Sequence, residues 1–381
     1  MAYFNNAATT FPKPAEVLEK AIELYKNAGM NAGRSGAEDN TVAGGIIEKT
    51  RKELLELFHV DASYEVIFQP SATHALNVIL QGLKYESIGT VYISPFEHNS
   101  VTRILHAMKQ KYKFEVVQMA FDKAKMEYDF ARINKQFAER KPNVVIVSHA
   151  SNVCGVVAPL KDIFTQAKKH QAITIADMAQ TAGLLDTNLS DSQVDCAIFA
   201  GHKTLYAATG VGGLIIRNSI KPSLVLFGGT GILSASQEMP DQLPARYEIG
   251  SPNILSIASL YYSLQWISRT TRKAIEEKDK ICYNTLLKLL QRYKNIKLVG
   301  IAKDTVGIVS CLFDRLSSEE VGKIMSEHGV EVRTGLHCSP YAHEFLGTYP
   351  AGTVRFSVGY FTADSDFAKL EEVLDYIEEN T

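Results

Sequence analysis

Apolar residues recur along this chain with two different periods. Between residues 14 and 26, Val17, Leu18, Ala21, Ile22 and Tyr25 fall on one face of a helix, and residues 46–58 repeat that spacing. Short, nearly continuous apolar runs follow at 65–68, 90–93, 144–147, 173–176, 197–199 and 213–216. They are rich in Val and Ile, and each ends on a turn or a polar cluster. Helical stretches such as 72–82, 101–111 and 160–169 lie between most of them. Strands without polar alternation, separated by helices, predict an α/β fold with a mostly parallel sheet covered on both faces. From 254 to 293 the spacing predicts one long helical stretch. Beyond it come strands near 306–313 and 354–358 and helices near 318–328 and 364–379, the rhythm of a smaller α+β domain. The expected division is a large domain over 15–260 and a small one built from 1–14 and 261–381.

Composition narrows the function. The chain has 381 residues, 46% of them hydrophobic, enough to bury a large core. Forty basic against 42 acidic residues leave a net charge of -2. That balance excludes a strongly basic nucleic-acid binder and an acidic disordered chain. Lys109, Lys111 and Lys113 alternate with apolar residues and read as a solvated helix end. No apolar run approaches the ~18 residues of a membrane span. The N-terminus lacks the basic-then-apolar layout of a signal peptide. A cytoplasmic protein with reduced thiols is expected. Its five cysteines, Cys154, Cys196, Cys282, Cys311 and Cys338, are too scattered for a disulfide scaffold, and no Cys-x-x-Cys pair occurs. Cys196 and Cys311 sit in apolar runs and read as core.

In doubly wound sheets, ligands bind beyond the carboxyl ends of the strands. The residues there carry the candidate chemistry. Gln69-Pro-Ser-Ala-Thr-His-Ala-Leu-Asn77 opens a helix with small residues, which suits either an anion or an ordinary N-cap. Ser94-Pro-Phe-Glu-His98 and Ser148-His-Ala-Ser-Asn152 follow the next two strands. Asp177, in Asp177-Met-Ala-Gln180, either caps a helix or holds a cationic group. Lys203, in Ala200-Gly-His202-Lys203, is either a surface charge or an amine kept neutral by desolvation or covalent linkage. A dehydrogenase would need Gly-x-Gly-x-x-Gly after its first strand. Gly229-Thr-Gly231 lacks the third glycine.

In order and spacing this constellation resembles the class V aminotransferase family of fold-type I, pyridoxal-phosphate-dependent enzymes. The resemblance covers nearly the whole chain and is strongest to the cysteine desulfurase/selenocysteine lyase branch, group II-like. Three further motifs carry it: Phe4-Asn-Asn-Ala-Ala-Thr-Thr10, Arg246-Tyr-Glu-Ile-Gly-Ser-Pro-Asn253 and Arg333-Thr-Gly-Leu-His-Cys338. The resemblance implies that Lys203 forms a Schiff base with the cofactor, pyridoxal 5'-phosphate. It implies that Asp177 pairs with the pyridine nitrogen, His98 stacks on the ring and Gln180 bonds the phenolic oxygen. Asn152 would lie on the substrate side. Ala72 and Thr73 would meet the phosphate, with His202 from the other side. Ser251, where relatives carry Thr, would reach the phosphate of a neighbouring subunit, so a homodimer with shared active sites is implied. Ala200 stands where the family often has Ser, which removes one phosphate donor. Arg355 would bind the substrate carboxylate, and Cys338, on a short flexible loop, would take sulfur as a persulfide. Cys154 is placed near the site without a role. No metal is implied: His337, Cys338 and His343 lack a fourth ligand.

The activity implied is a cysteine desulfurase, which converts L-cysteine to L-alanine and hands sulfur to an acceptor protein. The alternatives are selenocysteine lyase, acting on L-selenocysteine, and another class V aminotransferase or lyase. No nucleic acid or membrane partner is implied.

Overall fold

The computed structural model describes residues 1–27 and 42–380. The first part runs β1 (Ala2–Tyr3), α1 (Ala15–Asn27), α2 (Val42–Leu57), β2 (Tyr64–Gln69), α3 (Ala72–Gln81), β3 (Thr90–Ile93) and α4 (Asn99–Lys109). Then come β4 (Glu115–Gln118), β5 (Phe121–Asp122), β6 (Glu127–Tyr128), α5 (Phe130–Glu139), β7 (Val144–Ser148), α6 (Leu160–Lys168), β8 (Ile173–Asp177), β9 (Cys196–Ala200) and β10 (Gly212–Arg217). The remainder is α7 (Ile254–Thr270), α8 (Arg272–Leu290), β11 (Ile296–Val299), β12 (Ile308–Phe313) and α9 (Ser318–Glu327). It closes with β13 (Val330–Glu331), β14 (Arg333–Gly335), α10 (Pro340–Leu346), β15 (Thr353–Ser357) and α11 (Asp364–Asn380).

The seven-stranded sheet has the order β2-β10-β9-β8-β7-β3-β4. Its neighbours from β9 to β4 pair parallel, while β10 runs antiparallel to both β9 and β2. The expected mostly parallel sheet is present, with one reversed strand. Every residue of β7 is buried, and its side chains divide between two cores. Val145 and Val147 join one apolar cluster, Val144 and Ile146 the other. A strand packed on both faces has no solvent side, hence no polar alternation. Burying one such side chain contributes about 1.5–3 kcal/mol.

The four-stranded antiparallel sheet, β11-β12-β15-β14, packs against a third core containing Phe4, Leu286, Val321, Phe356 and Leu370. The N-terminal strand β1 pairs parallel with β13. The helical stretch expected over 254–293 is two helices. Thr271 takes φ +69°, and its hydroxyl accepts from Ala274 N–H to start α8. The apolar spacing continues across Thr271 and hides the break. Strands β4, β11 and β14 and helices α5 and α10 are absent from the elements expected, because they are short or partly exposed.

Candidate active site

The ends of β2, β3, β7, β8 and β9 open onto a cavity of about 240 Å³, closed from the other side by β14 and β15. It collects Ala72, Thr73, His98, Asn152, Asp177, Gln180, His202, Lys203 and Arg355. Two predicted site residues are not among them: Cys338, which adjoins the cavity through its contact with Arg333, and Ser251. Ser251 lines a second cavity of about 430 Å³ with Arg51, Phe68 and Glu248. Cys154 is a correction: it lies in the core, against Gly300, and does not reach the cavity.

Of the two readings for the start of α3, the N-cap is observed, and it leaves the helix start open to the cavity. Ser71 caps the helix by accepting from His74 N–H, while Ala72 and Thr73 line the cavity. The first-turn N–H groups of a helix have no intrahelical partner and face an incoming anion. Gly212 of β10 permits this approach, since a Cβ there would come 2.8 Å from Ala72 N.

His98 caps α4. Its Nδ1 accepts from Ser100 N–H at 3.0 Å, which leaves Nε2 to carry the proton. Burial, then the charges of Lys203, Arg333 and Arg355, lower its pKa to about 4, so the ring is neutral. Asp177 ends β8, with Oδ1 accepting from Ala179 N–H at 3.0 Å. Burial raises its pKa, against that hydrogen bond and the Lys203 charge. Lys203 lines the cavity and is partly buried, and desolvation lowers its pKa to about 8 in spite of Asp177. A buried amine without a short carboxylate partner loses part of its proton near neutral pH. Burial likewise lowers His202 to about 4, with its Nδ1 3.2 Å from Thr9 Oγ1. Gln180 Nε2 donates to Ala7 O at 2.9 Å and so ties the N-terminal segment to the site.

Arg355 is no surface residue. It is 0% exposed on β15, donating from Nη1 to Asn152 O at 2.8 Å and from Nη2 to Asn5 Oδ1 at 3.3 Å. Its Nε is buried with no hydrogen-bond partner among the described residues. Arg333 lies opposite it on β14, so two guanidinium groups meet on one face of the sheet. Arg333 also lines the cavity, and its Nη2 donates to Cys338 Sγ at 3.0 Å. No role for Arg333 follows from the sequence motif alone. The signal was its place as the first residue of that motif.

The loop bearing Cys338 differs from the flexible one expected. His337 and Ser339 are buried, and His337 and Cys338 take φ +48° and +59°. Asn152 grips the loop on both sides of the thiol. Its Nδ2 donates to His337 O at 2.7 Å, and its Oδ1 accepts from Ser339 Oγ at 2.7 Å. The Asn152 side chain is thus engaged by protein groups. Cys338 O accepts from Asn99 N–H at 2.7 Å. The thiol remains partly exposed, and its charge acts on both Lys203 and Arg355. His337 and His343 each turn one nitrogen to a threonine hydroxyl, and no cluster of metal-ligand type occurs among the described residues.

The donor set suits one cofactor class. A helix start suits a phosphate, a buried carboxylate a protonated ring nitrogen, a neutral imidazole a ring face, and a depressed lysine an aldehyde. Fold and cavity together define a fold-type I, pyridoxal-phosphate-dependent enzyme. The chain matches the family model described as Aminotransferase class-V over residues 2–370, and it belongs to that family. It is 25% identical over 378 residues to a probable cysteine desulfurase of Methanothermobacter thermautotrophicus, covering 98% of this chain and 94% of that one. It is 27% identical over 390 residues to a probable cysteine desulfurase of Haemophilus influenzae, covering 99% and 86%. Its fold is similar to the apo structure of a cysteine desulfurase from Thermococcus onnurineus NA1, with TM-score 0.90, 24% identity and coverage of 100% and 95%.

Proposed function

We propose that the protein is a cysteine desulfurase that takes sulfur from L-cysteine onto Cys338 and leaves L-alanine. The observation that carries this reading is the thiol of Cys338, held by Arg333 at 3.0 Å and electrostatically coupled to Lys203. An aminotransferase needs no thiol at that point.

Lys203 would supply the amine that holds the cofactor's aldehyde, Asp177 would hold its ring nitrogen, and the start of α3 with His202 would hold its phosphate. When bound, this group would supply an electron sink for the substrate's α-carbon, the chemistry that weakens the bond between β-carbon and sulfur. Arg355, which lines the cavity, takes the substrate carboxylate through its guanidinium. The sulfur that Arg333 holds reacts as the Cys338 thiolate, the nucleophilic form of a cysteine. That thiolate attacks the substrate sulfur. A sulfur–sulfur bond forms as the carbon–sulfur bond breaks, the electron pair stays on carbon, and a proton completes alanine. The persulfide then passes its outer sulfur to an acceptor protein's thiol.

We assign the protein to the cytoplasm, where the five free cysteines stay reduced. No helix among the described residues is long and apolar enough to cross a membrane. We also assign it a homodimeric state in which Ser251 serves the other protomer's phosphate seat. Exposed Phe227 and Leu233 in the segment between β10 and α7 support an apolar contact there. Replacing Cys338 by Ala tests the main reading. Sulfide release from L-cysteine under reductant is expected to fall at least about a hundredfold. Undiminished release contradicts it.

A further inference from the structure

Directly before His98, the side chain of Glu97 is fully buried. Its carboxylate gathers three neutral donors from two strand ends. Ser94 Oγ donates to Oε1 at 2.5 Å, Ser148 N–H to Oε1 at 2.6 Å and Ser148 Oγ to Oε2 at 2.9 Å. Ser94 Oγ in turn accepts from Phe96 N–H at 3.2 Å, which folds the segment 94–98 over the carboxylate. Ser148 ends β7, lies opposite Asp177 in the register of β7 and β8, and lines the cavity. Glu97 therefore fastens the segment that delivers His98 to the strand beside Asp177.

We propose that Glu97 is a positioning residue of the cofactor site, locking His98 and the end of β7 into one arrangement and adding its charge to that of Asp177 behind the ring. This rests on the reading that the cavity takes pyridoxal 5'-phosphate. Three donors on two oxygens suit a carboxylate, which has lone pairs on both; an amide has one acceptor oxygen. Packing alone would be served as well by an apolar side chain, without the expense of desolvating an acid.

The charge of Glu97 is poised. Burial raises its pKa from the ordinary 4.5 to about 7, with the Ser94 and Ser148 donors lowering it and the Asp177 charge raising it. Tyr128, buried on β6, has its pKa pushed up by burial first and by the nearby Glu97 charge second. The folded protein thus holds a proton that the unfolded chain releases between about pH 4.5 and 7. The stability Glu97 contributes falls as pH rises through that window.

Glu97→Gln keeps the volume and one acceptor while removing the charge. The test titrates the visible absorbance of the protein loaded with pyridoxal 5'-phosphate, wild type against variant. Removing a negative charge near Asp177 makes a proton on the attached lysine nitrogen less favourable. The midpoint is expected to fall by about half a pH unit or more. In the cofactor-free protein, wild type should lose thermal stability relative to the variant between pH 5 and pH 8. An unmoved midpoint in a folded, loaded variant overturns the proposal while leaving the cofactor reading intact. A wild-type protein that gains no band with pyridoxal 5'-phosphate overturns both. Should Glu97→Gln not fold, Ser94→Ala removes one donor to the same carboxylate. It is expected to move the midpoint in the same direction, and an unmoved midpoint then overturns the proposal.

Discussion

At the scale of single residues, the site is a set of charges held away from their ordinary behaviour by burial. Lys203 shows the consequence most simply. Its pKa is lowered to about 8, so the neutral, nucleophilic amine becomes the major form as pH rises through that value. Capture of pyridoxal 5'-phosphate by the cofactor-free protein is expected to quicken from pH 7 to pH 8 and level off above pH 9. Stopped-flow absorbance on mixing measures it, and a rate flat across this range contradicts the assignment. Arg333 offers a second case. A charge-assisted hydrogen bond to sulfur is worth about 1.5–3 kcal/mol, or about 10–100-fold in rate. Arg333→Ala is expected to slow desulfuration by about that factor, measured as alanine formed from L-cysteine; an unchanged rate contradicts the role given to this contact. Lys203, Asp177, His98 and Cys338 were legible because each follows a strand or closes a motif. The role of Arg333 was not, because its meaning depends on a partner across the sheet, Arg355, which no local pattern reports.

At the scale of elements, the site depends on how closely α3 approaches the sheet. The backbone of Gly212 lies against the start of α3, where an added Cβ would fall 2.8 Å from Ala72 N, Phe199 O and Ser71 C. All three are backbone atoms and cannot swing aside. Gly212→Ala is therefore expected to lift the helix start, to cost about 1–3 kcal/mol in stability and to weaken pyridoxal 5'-phosphate binding more than L-cysteine binding. Thermal unfolding and equilibrium titration measure the two effects; unchanged cofactor affinity contradicts the assignment of α3 as the phosphate seat. The strands of the larger sheet were readable from their unbroken apolar runs, since burial on both faces leaves that mark. The break at Thr271 was not, because a positive φ at a threonine breaks the chain's direction without breaking its apolar spacing. The Cys338 loop was misread for a related reason. Polar residues suggested mobility, whereas His337 and Ser339 are buried, with His337 Nε2 bonded to Thr353 and Ser339 Oγ to Asn152.

At the scale of the whole molecule, the cavity is assembled from both ends of the chain. The large sheet supplies its floor, and β14 and β15, more than 100 residues beyond Lys203, supply the thiol's partner and the carboxylate's. The N-terminal segment ties in through Gln180 and Ala7. Ser251 stands outside this cavity, so its proposed role requires a second protomer. Mixing Lys203→Ala with Ser251→Ala protein is expected to restore activity that neither has alone, because exchanged dimers contain one intact site. No recovery after exchange contradicts a shared site. The central claim is that Cys338 receives the substrate's sulfur. It is tested most directly by mass spectrometry of the pyridoxal-phosphate-loaded protein after one turnover with L-cysteine and no reductant. The account predicts one added sulfur on the peptide bearing Cys338, with alanine formed in equal amount. Alanine formed without sulfur on Cys338, or sulfur carried on another cysteine, would contradict it.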